Sequence, residues 1–221
     1  MTVDTWAIAR FTVTMALLAT ALVLPPAIAV GWVLARRDFR GKTLLETVVS
    51  LPLVLPPVAS GLMLLWLFGR RSPVGQLLDT LGIQVIFTWK AVVIAMMVIS
   101  FPLVARSVRA GIEQVDRRFE HIAATLGAGP FRIVRTITLP LASRGIIAGS
   151  ILGFSRALGE FGATIMIAGA IPGQTQTLSV GIYTLVETGR EHAAWSLLAI
   201  SATLAFAAIY LSNRFAERKA I

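Results

Sequence analysis

Arg156 and Glu160 are ionisable side chains inside an otherwise apolar run from Gly145 to Ile171. Their i, i+4 spacing puts them one helical turn apart, where opposite charges can pair. Charges inside such a run are costly and face protein or a watery cavity. Two readings follow: a structural ion pair, or one wall of an anion path to which Arg156 lends positive potential. Thr164 follows Glu160 at the same interval, and Pro56 and Pro57 interrupt an earlier apolar run. These five residues are the candidate path.

A second group lies between apolar runs. Glu120-His121-Ile122-Ala123-Ala124-Thr125-Leu126-Gly127 is followed by Ile137-Thr138-Leu139-Pro140. Phe119, Ile122, Ala123 and Leu126 keep the i, i+3, i+4, i+7 rule, which gives a short helix one apolar stripe. Asp116 suits its N-cap, and Gly127 suits a stop at positive φ. Pro130 opens a second helix, with Ile133, Val134, Ile137 and Leu141 on one face and Arg132 and Arg135 on another. A short amphipathic helix can rest on a bilayer or insert into a partner protein, and periodicity does not choose between them.

Other chemistry has little to work with. There is no G-x-x-x-x-G-K-[ST] loop to cradle a nucleotide, and no H-E-x-x-H. The two histidines, His121 and His192, lie near no serine in a nucleophile motif, and cysteine is absent. The expectation is no catalytic residue, no metal site and no cofactor bound by this chain.

The elements that must position these residues are membrane helices. The chain is 56% hydrophobic and 14% charged, with a mean hydropathy of +0.79; soluble domains average about a quarter charged residues. About 20 apolar residues in a helix cross the hydrocarbon core. Phe11 to Ala35 and Thr47 to Gly69 are free of charge. Ala91 to Ala105 is shorter, so that span starts near Gly82 or Phe87, with Lys90 snorkelling to the interface. His192 to Asn213 is uncharged if its histidine is neutral. One transmembrane domain over 1–221 is expected, with spans at about 9–35, 44–69, 87–106, 145–171 and 192–213 and a loop at 107–144. The first run exceeds the about 7 to 15 residues of a signal-peptide core and lacks the usual basic segment before it.

Pro52, Pro56 and Pro57 should kink or break the second span, for structural reasons or beside a path. Gly145, Gly149, Gly153 and Ala157 form a small-residue stripe for close helix packing. The polar stretch Pro172 to Thr177, followed by the helical-looking Leu178 to Val186, reads as an external loop, gate or docking surface.

The net charge of +9 gathers at span ends instead of forming a nucleic-acid patch. One side collects Arg36, Arg37, Arg40, Lys42, Arg106, Arg109, Arg117, Arg118, Arg132, Arg135, Arg144, Arg214, Arg218 and Lys219. The other has Arg10, Arg70, Arg71, Lys90 and Arg190. The positive-inside rule makes the first side cytoplasmic, with the N-terminus outside and the C-terminus inside.

The helix, Gly127, nine residues and Ile-x-Leu-Pro resemble the cytoplasmic EAA loop of permeases in binding-protein-dependent ABC importers. That signature puts its glutamate at His121, so Glu120 stands one residue early. Leu51-Pro52-Leu53-Val54-Leu55-Pro56-Pro57, Gly69-Arg70-Arg71, Thr125-Leu126-Gly127-Ala128-Gly129 and Leu158-Gly159-Glu160-Phe161-Gly162-Ala163-Thr164 are similar to molybdate permeases in particular. Sulfate and thiosulfate permeases share the last of these segments.

The resemblance implies an all-α, type I importer permease in a bacterial inner membrane. It implies ATP and Mg used by two cytoplasmic ATPases, and an external oxyanion-binding protein. Asp116, Phe119, Glu120, His121, Ile122, Ala123, Leu126 and Gly127 would then form the ATPase-coupling helix. One such helix per chain points to a homodimer, with a different permease as the alternative partner. Molybdate is the first expectation, with tungstate and sulfate as alternatives. A secondary transporter or channel is the rival class, but neither an inverted repeat nor an ion-coupling carboxylate cluster is evident.

Overall fold

A computed structural model describes residues 4–217, so Arg218 and Lys219 lie outside the described residues. Every regular element among them is helical: α1 (Thr5–Arg36), α2 (Lys42–Val54), α3 (Pro57–Phe68), α4 (Pro73–Thr80), α5 (Trp89–Glu113), α6 (Arg117–Thr125), α7 (Pro130–Ile133), α8 (Leu139–Leu158), α9 (Gly162–Ala168), α10 (Leu178–Glu187) and α11 (Glu191–Glu217). A π-helical turn, Val134–Thr138, joins α7 to α8. Four helices are long and apolar enough to cross a membrane, and α2 with α3 make a fifth crossing if the bent pair counts as one.

Side-chain packing shows that it does. Met15, Ala16 and Ala19 share a core with Ala91 to Met96 and Ile99, while Val23, Ala27 and Ala35 share another with Val104, Val108 and Ile112. Thus α1 and α5 run in the same direction, and the chain between them must return across the bundle. Val49 of α2 belongs to the core at the basic end, and Leu64 of α3 to the core at the opposite end.

The two halves of this crossing meet at 110°. Pro56 and Pro57 lack N–H groups, and the residue before a proline is pushed out of the helical region. Leu55 accordingly has φ −66° and ψ 139°. The expected break therefore falls at Leu55–Pro56, whereas Pro52 remains inside α2.

α8 runs back along α5 on the predicted glycine stripe. A Cβ at Gly145 would lie 2.7 Å from the Gly111 Cα, and one at Gly153 would lie 2.3 Å from Val104 Cγ2. Ala157 is fully buried in the same region. Small residues thus set the distance between the two helices.

Three boundaries differ from the sequence expectation. α5 continues past residue 106 because its charged turns find partners: Arg106 donates to Ser50 Oγ at 2.8 Å, and Arg109 reaches Glu46 at 2.6 Å and Glu113 at 2.7 Å. At the other side of the connection, Pro130 opens a helix that runs through the π turn into α8. The expected loop at 107–144 therefore contracts to the residues around α6. The fourth span is also not one helix over 145–171, since α8 stops at Leu158 and α9 starts afresh at Gly162.

α10 is too short to cross. It starts beside the bundle interior, where Leu178 N–H donates to Thr12 Oγ1 at 2.9 Å and Ser179 Oγ donates to the Leu158 carbonyl at 3.4 Å. α11 then descends, with Leu197 against Gly181 and Ser212 Oγ donating to the Ala148 carbonyl at 3.2 Å. Its C-terminal part lies at the basic end.

Gly145→Ala should cost about 1–3 kcal/mol, because the added methyl meets backbone that cannot swing aside. Gly129→Ala, where a Cβ would meet nothing within 4 Å, should cost no more than about 0.5 kcal/mol. Thermal unfolding of the detergent-solubilised protein measures both. Equal midpoints for the two variants would refute glycine-limited packing of α5 on α8.

Candidate functional site

The helix α6 is built as its residues require. Asp116 accepts a hydrogen bond from Arg118 N–H at 2.9 Å and caps the first turn. At the other end Gly127 takes φ 83°, so that Gly127 N–H bonds the Ala124 carbonyl and Ala128 N–H the Ala123 carbonyl, both at 3.0 Å. An L-residue resists that backbone conformation, which explains the glycine.

The faces of α6 are inverted relative to an ordinary surface helix. No residue of α6 is buried. Phe119 and Ile122 are exposed, Leu126 is 81% exposed, and Phe131 continues the apolar surface just beyond. The inward contact is instead ionic. Glu120 Oε1 lies 3.0 Å from an Arg36 guanidinium nitrogen and accepts a 2.7 Å hydrogen bond from Thr138 Oγ1.

Arg36 also donates to the Val115 carbonyl at 2.9 Å, and its side chain is only 7% exposed. One carboxylate therefore ties α6 to the end of α1 and to the π turn that opens α8. His121 is exposed and takes no part in these bonds, although it lines the same cavity as Arg36, Glu120 and Thr138.

Sequence reasoning missed two of these partners. Arg36 reads as a topology signal among neighbouring basic residues, and Thr138 as the variable position of Ile-x-Leu-Pro. Glu120, one residue from its expected place, is nonetheless the acid that makes the link.

The candidate path residues meet where two broken spans touch. A Cβ at Gly162 would lie 2.9 Å from the Pro57 Cβ, and one at Gly61 would lie 2.7 Å from the Ala163 Cα. The starts of α3 and α9 are therefore side by side. Glu160 lies at this junction, 1% exposed, with Oε2 at 2.9 Å from Arg156 and Oε1 accepting from Ala163 N–H at 2.8 Å.

The second of those bonds explains the break in the fourth span. A carboxylate that satisfies the Ala163 N–H in the first turn of α9 competes with continuation of α8 through Gly159. The predicted pair is present, and Arg156 keeps 32% of its side chain exposed while Glu160 is enclosed. Thr164 Oγ1 is buried beside this junction without a hydrogen-bond partner, and so is Ser60 Oγ on α3. Nothing in the sequence distinguishes Ser60 from other span hydroxyls. Among the described residues no cluster of histidine and carboxylate side chains suits a metal ion.

Comparison with known proteins gives one family. Residues 27–220 match the model described as binding-protein-dependent transport system inner membrane component. The chain is 45% identical over 214 residues to the molybdenum transport system permease protein ModB of Escherichia coli K12, covering 96% of this chain and 93% of that protein. It is 38% identical over 192 residues to the sulfate transport system permease protein CysT of Salmonella typhimurium, covering 85% and 69%. In fold it resembles a chain in the crystal structure of a bacterial alginate ABC transporter in complex with an alginate pentasaccharide-bound periplasmic protein. That match has a TM-score of 0.72 at 16% identity and covers 96% of this chain and 78% of that one.

Removing the Glu120 carboxylate should free α6. A hydrogen bond to a charged group contributes roughly 1.5–3 kcal/mol, so Glu120→Ala should speed tryptic cleavage after Arg117 and Arg118 at least about tenfold. Gel analysis of timed digests measures the rate. An unchanged rate would mean that other contacts hold the helix.

Proposed function

The chain belongs to the binding-protein-dependent transport system inner membrane components, and from that premise we propose that it is the permease of an ATP-driven molybdate importer. The family role makes it a multi-pass, non-catalytic membrane subunit of an ABC transporter that works with a separate binding protein. The substrate reading rests on the higher identity and fuller coverage of the molybdenum relative than of the sulfate one.

The single observation that carries the mechanism is α6, which offers its apolar stripe outward while Glu120 fixes its back to α1 and the π turn. In this reading the stripe enters a groove on a cytoplasmic ATPase. Asp116 and Gly127 set the helix length, His121 lies at the edge of the contact, and Ala123 permits close approach. ATP with Mg²⁺ closes two ATPases on one another. Each pulls one α6, and the Glu120–Arg36 link passes the displacement to the membrane helices.

Two copies of the chain, one per ATPase, enclose the path. The basic end is cytoplasmic by the positive-inside rule, with the N-terminus outside. The external protein selects the anion, because a pore site must release what it binds. Within the path, the exposed edge of Arg156 lends positive potential to a passing tetrahedral oxyanion, while Glu160 holds the arginine and the start of α9 in place. Pro56, Pro57 and Thr164 shape the same junction. Oxyanion and arginine form favourable charge-assisted hydrogen bonds.

Reconstitution of the permease with its ATPase and binding protein tests the substrate. Molybdate should accumulate only with ATP, tungstate should compete, and sulfate in equal amount should not. Uptake without ATP, or stronger competition by sulfate, would refute the assignment. Arg156→Gln should lower uptake at least about tenfold, the loss of one charge-assisted contact, while the ATPase still co-purifies. Normal uptake in that variant would remove Arg156 from the path.

A further inference from the structure

Behind α6, on the face away from its apolar stripe, lies a cavity of about 260 Å³. Arg36, Arg37 and Arg117 line one part of it, and Trp32, Ile133 and Val134 line another. The only carboxylate in its lining is Glu120, already engaged by Arg36 and Thr138. Nearby Asp38 is held by Lys42 at 2.8 Å. The hydrogen bond and charge of Lys42 keep the Asp38 carboxyl below its ordinary range, with a smaller pull from Arg117.

Arg37 has no carboxylate within ion-pair distance among the described residues, and its guanidinium lies 5.6 Å from the centre of the Trp32 ring. Arg117 spends one nitrogen on the Ala35 carbonyl at 3.3 Å. The cavity thus carries three guanidinium groups against one carboxylate.

Depth identifies the anion that suits it. The charge-free run of α1 ends at Ala35, so the cavity lies at the boundary between hydrocarbon and water, where tryptophan and arginine meet headgroups. Its lining is divided in the same way, cationic on one part and apolar on the other. We infer that this cavity binds the phosphodiester headgroup of an anionic phospholipid, with Arg37 and Arg117 on the phosphate and Ile133 and Val134 beside the glycerol and upper acyl chain. Arg37 follows α1 and Arg117 opens α6, so one lipid phosphate would bridge the membrane helix to the coupling helix. The bound lipid would then brace the connection that Glu120 makes from within. Which leaflet supplies it rests on the orientation proposed above; the chemistry of the cavity does not.

Native mass spectrometry of the assembled transporter, released from nanodiscs of phosphatidylcholine with and without phosphatidylglycerol, tests this. Phosphatidylglycerol should stay bound to the wild type, and its retention should fall about fivefold for each arginine replaced in Arg37→Gln and in the Arg37→Gln, Arg117→Gln double variant. Arg37→Lys, which keeps the charge, should retain most of it. Arg37→Gln alone breaks no ion pair, so it remains informative if the double variant does not assemble. Retention unchanged in Arg37→Gln would overturn the inference. So would displacement of the lipid by millimolar inorganic phosphate, which would make this a free-anion site. Loss of the ATPase with lipid retention intact would show that a protein surface uses these arginines instead.

Discussion

The architecture depends on one carboxylate that points the opposite way from what helix amphipathicity dictates. Glu120 turns inward to Arg36 and Thr138, and this leaves Phe119, Ile122 and Leu126 exposed over half or more of their surface. The ionic contact is enclosed enough to matter: an exposed pair contributes at most about 1 kcal/mol, whereas removing one partner of an enclosed pair strands the other charge. Arg36 is the more enclosed partner. A rigid back and an uncovered apolar front are what a part needs if it is to be gripped by another protein without being pulled loose.

The same economy operates deeper in the bundle. Proline removes hydrogen bonds from the second crossing, and a glutamate does the equivalent in the fourth by occupying the Ala163 N–H, which a continuing helix would need. The two interruptions meet at Pro57 and Gly162. Irregular backbone in a membrane is tolerated where protein or a cavity satisfies it. Here Glu160 supplies that satisfaction for the Ala163 N–H, and the side-chain hydroxyls of Ser60 and Thr164 are buried beside the same junction.

Much of this was legible in the sequence because hydrocarbon imposes simple rules. Long apolar runs, three of them free of charge over their whole length, marked the crossings, Pro56 and Pro57 placed the sharp bend, and the spacing of Arg156 and Glu160 gave their pairing. The capping of α6 by Asp116 and Gly127 followed from local chemistry alone. What was not legible required distance along the chain to become proximity in space. Arg36 and Glu120 are 84 positions apart, and no local pattern marks either as the other's partner. The break after Leu158 was hidden because it contains no proline. The length of α5 was underestimated because Arg106 and Arg109 look like loop residues until Ser50 and Glu46 of α2 are brought beside them.

The π-helical turn at Val134–Thr138 has a consequence of its own. Such a turn holds one residue more than α geometry needs, and its last residue, Thr138, is the one that Glu120 holds, immediately before α8 begins. Absorbing that surplus would advance the screw of α8 by one position, or roughly 100° about its axis. A small tug at the membrane surface could thus be geared into rotation of the helix that carries Arg156.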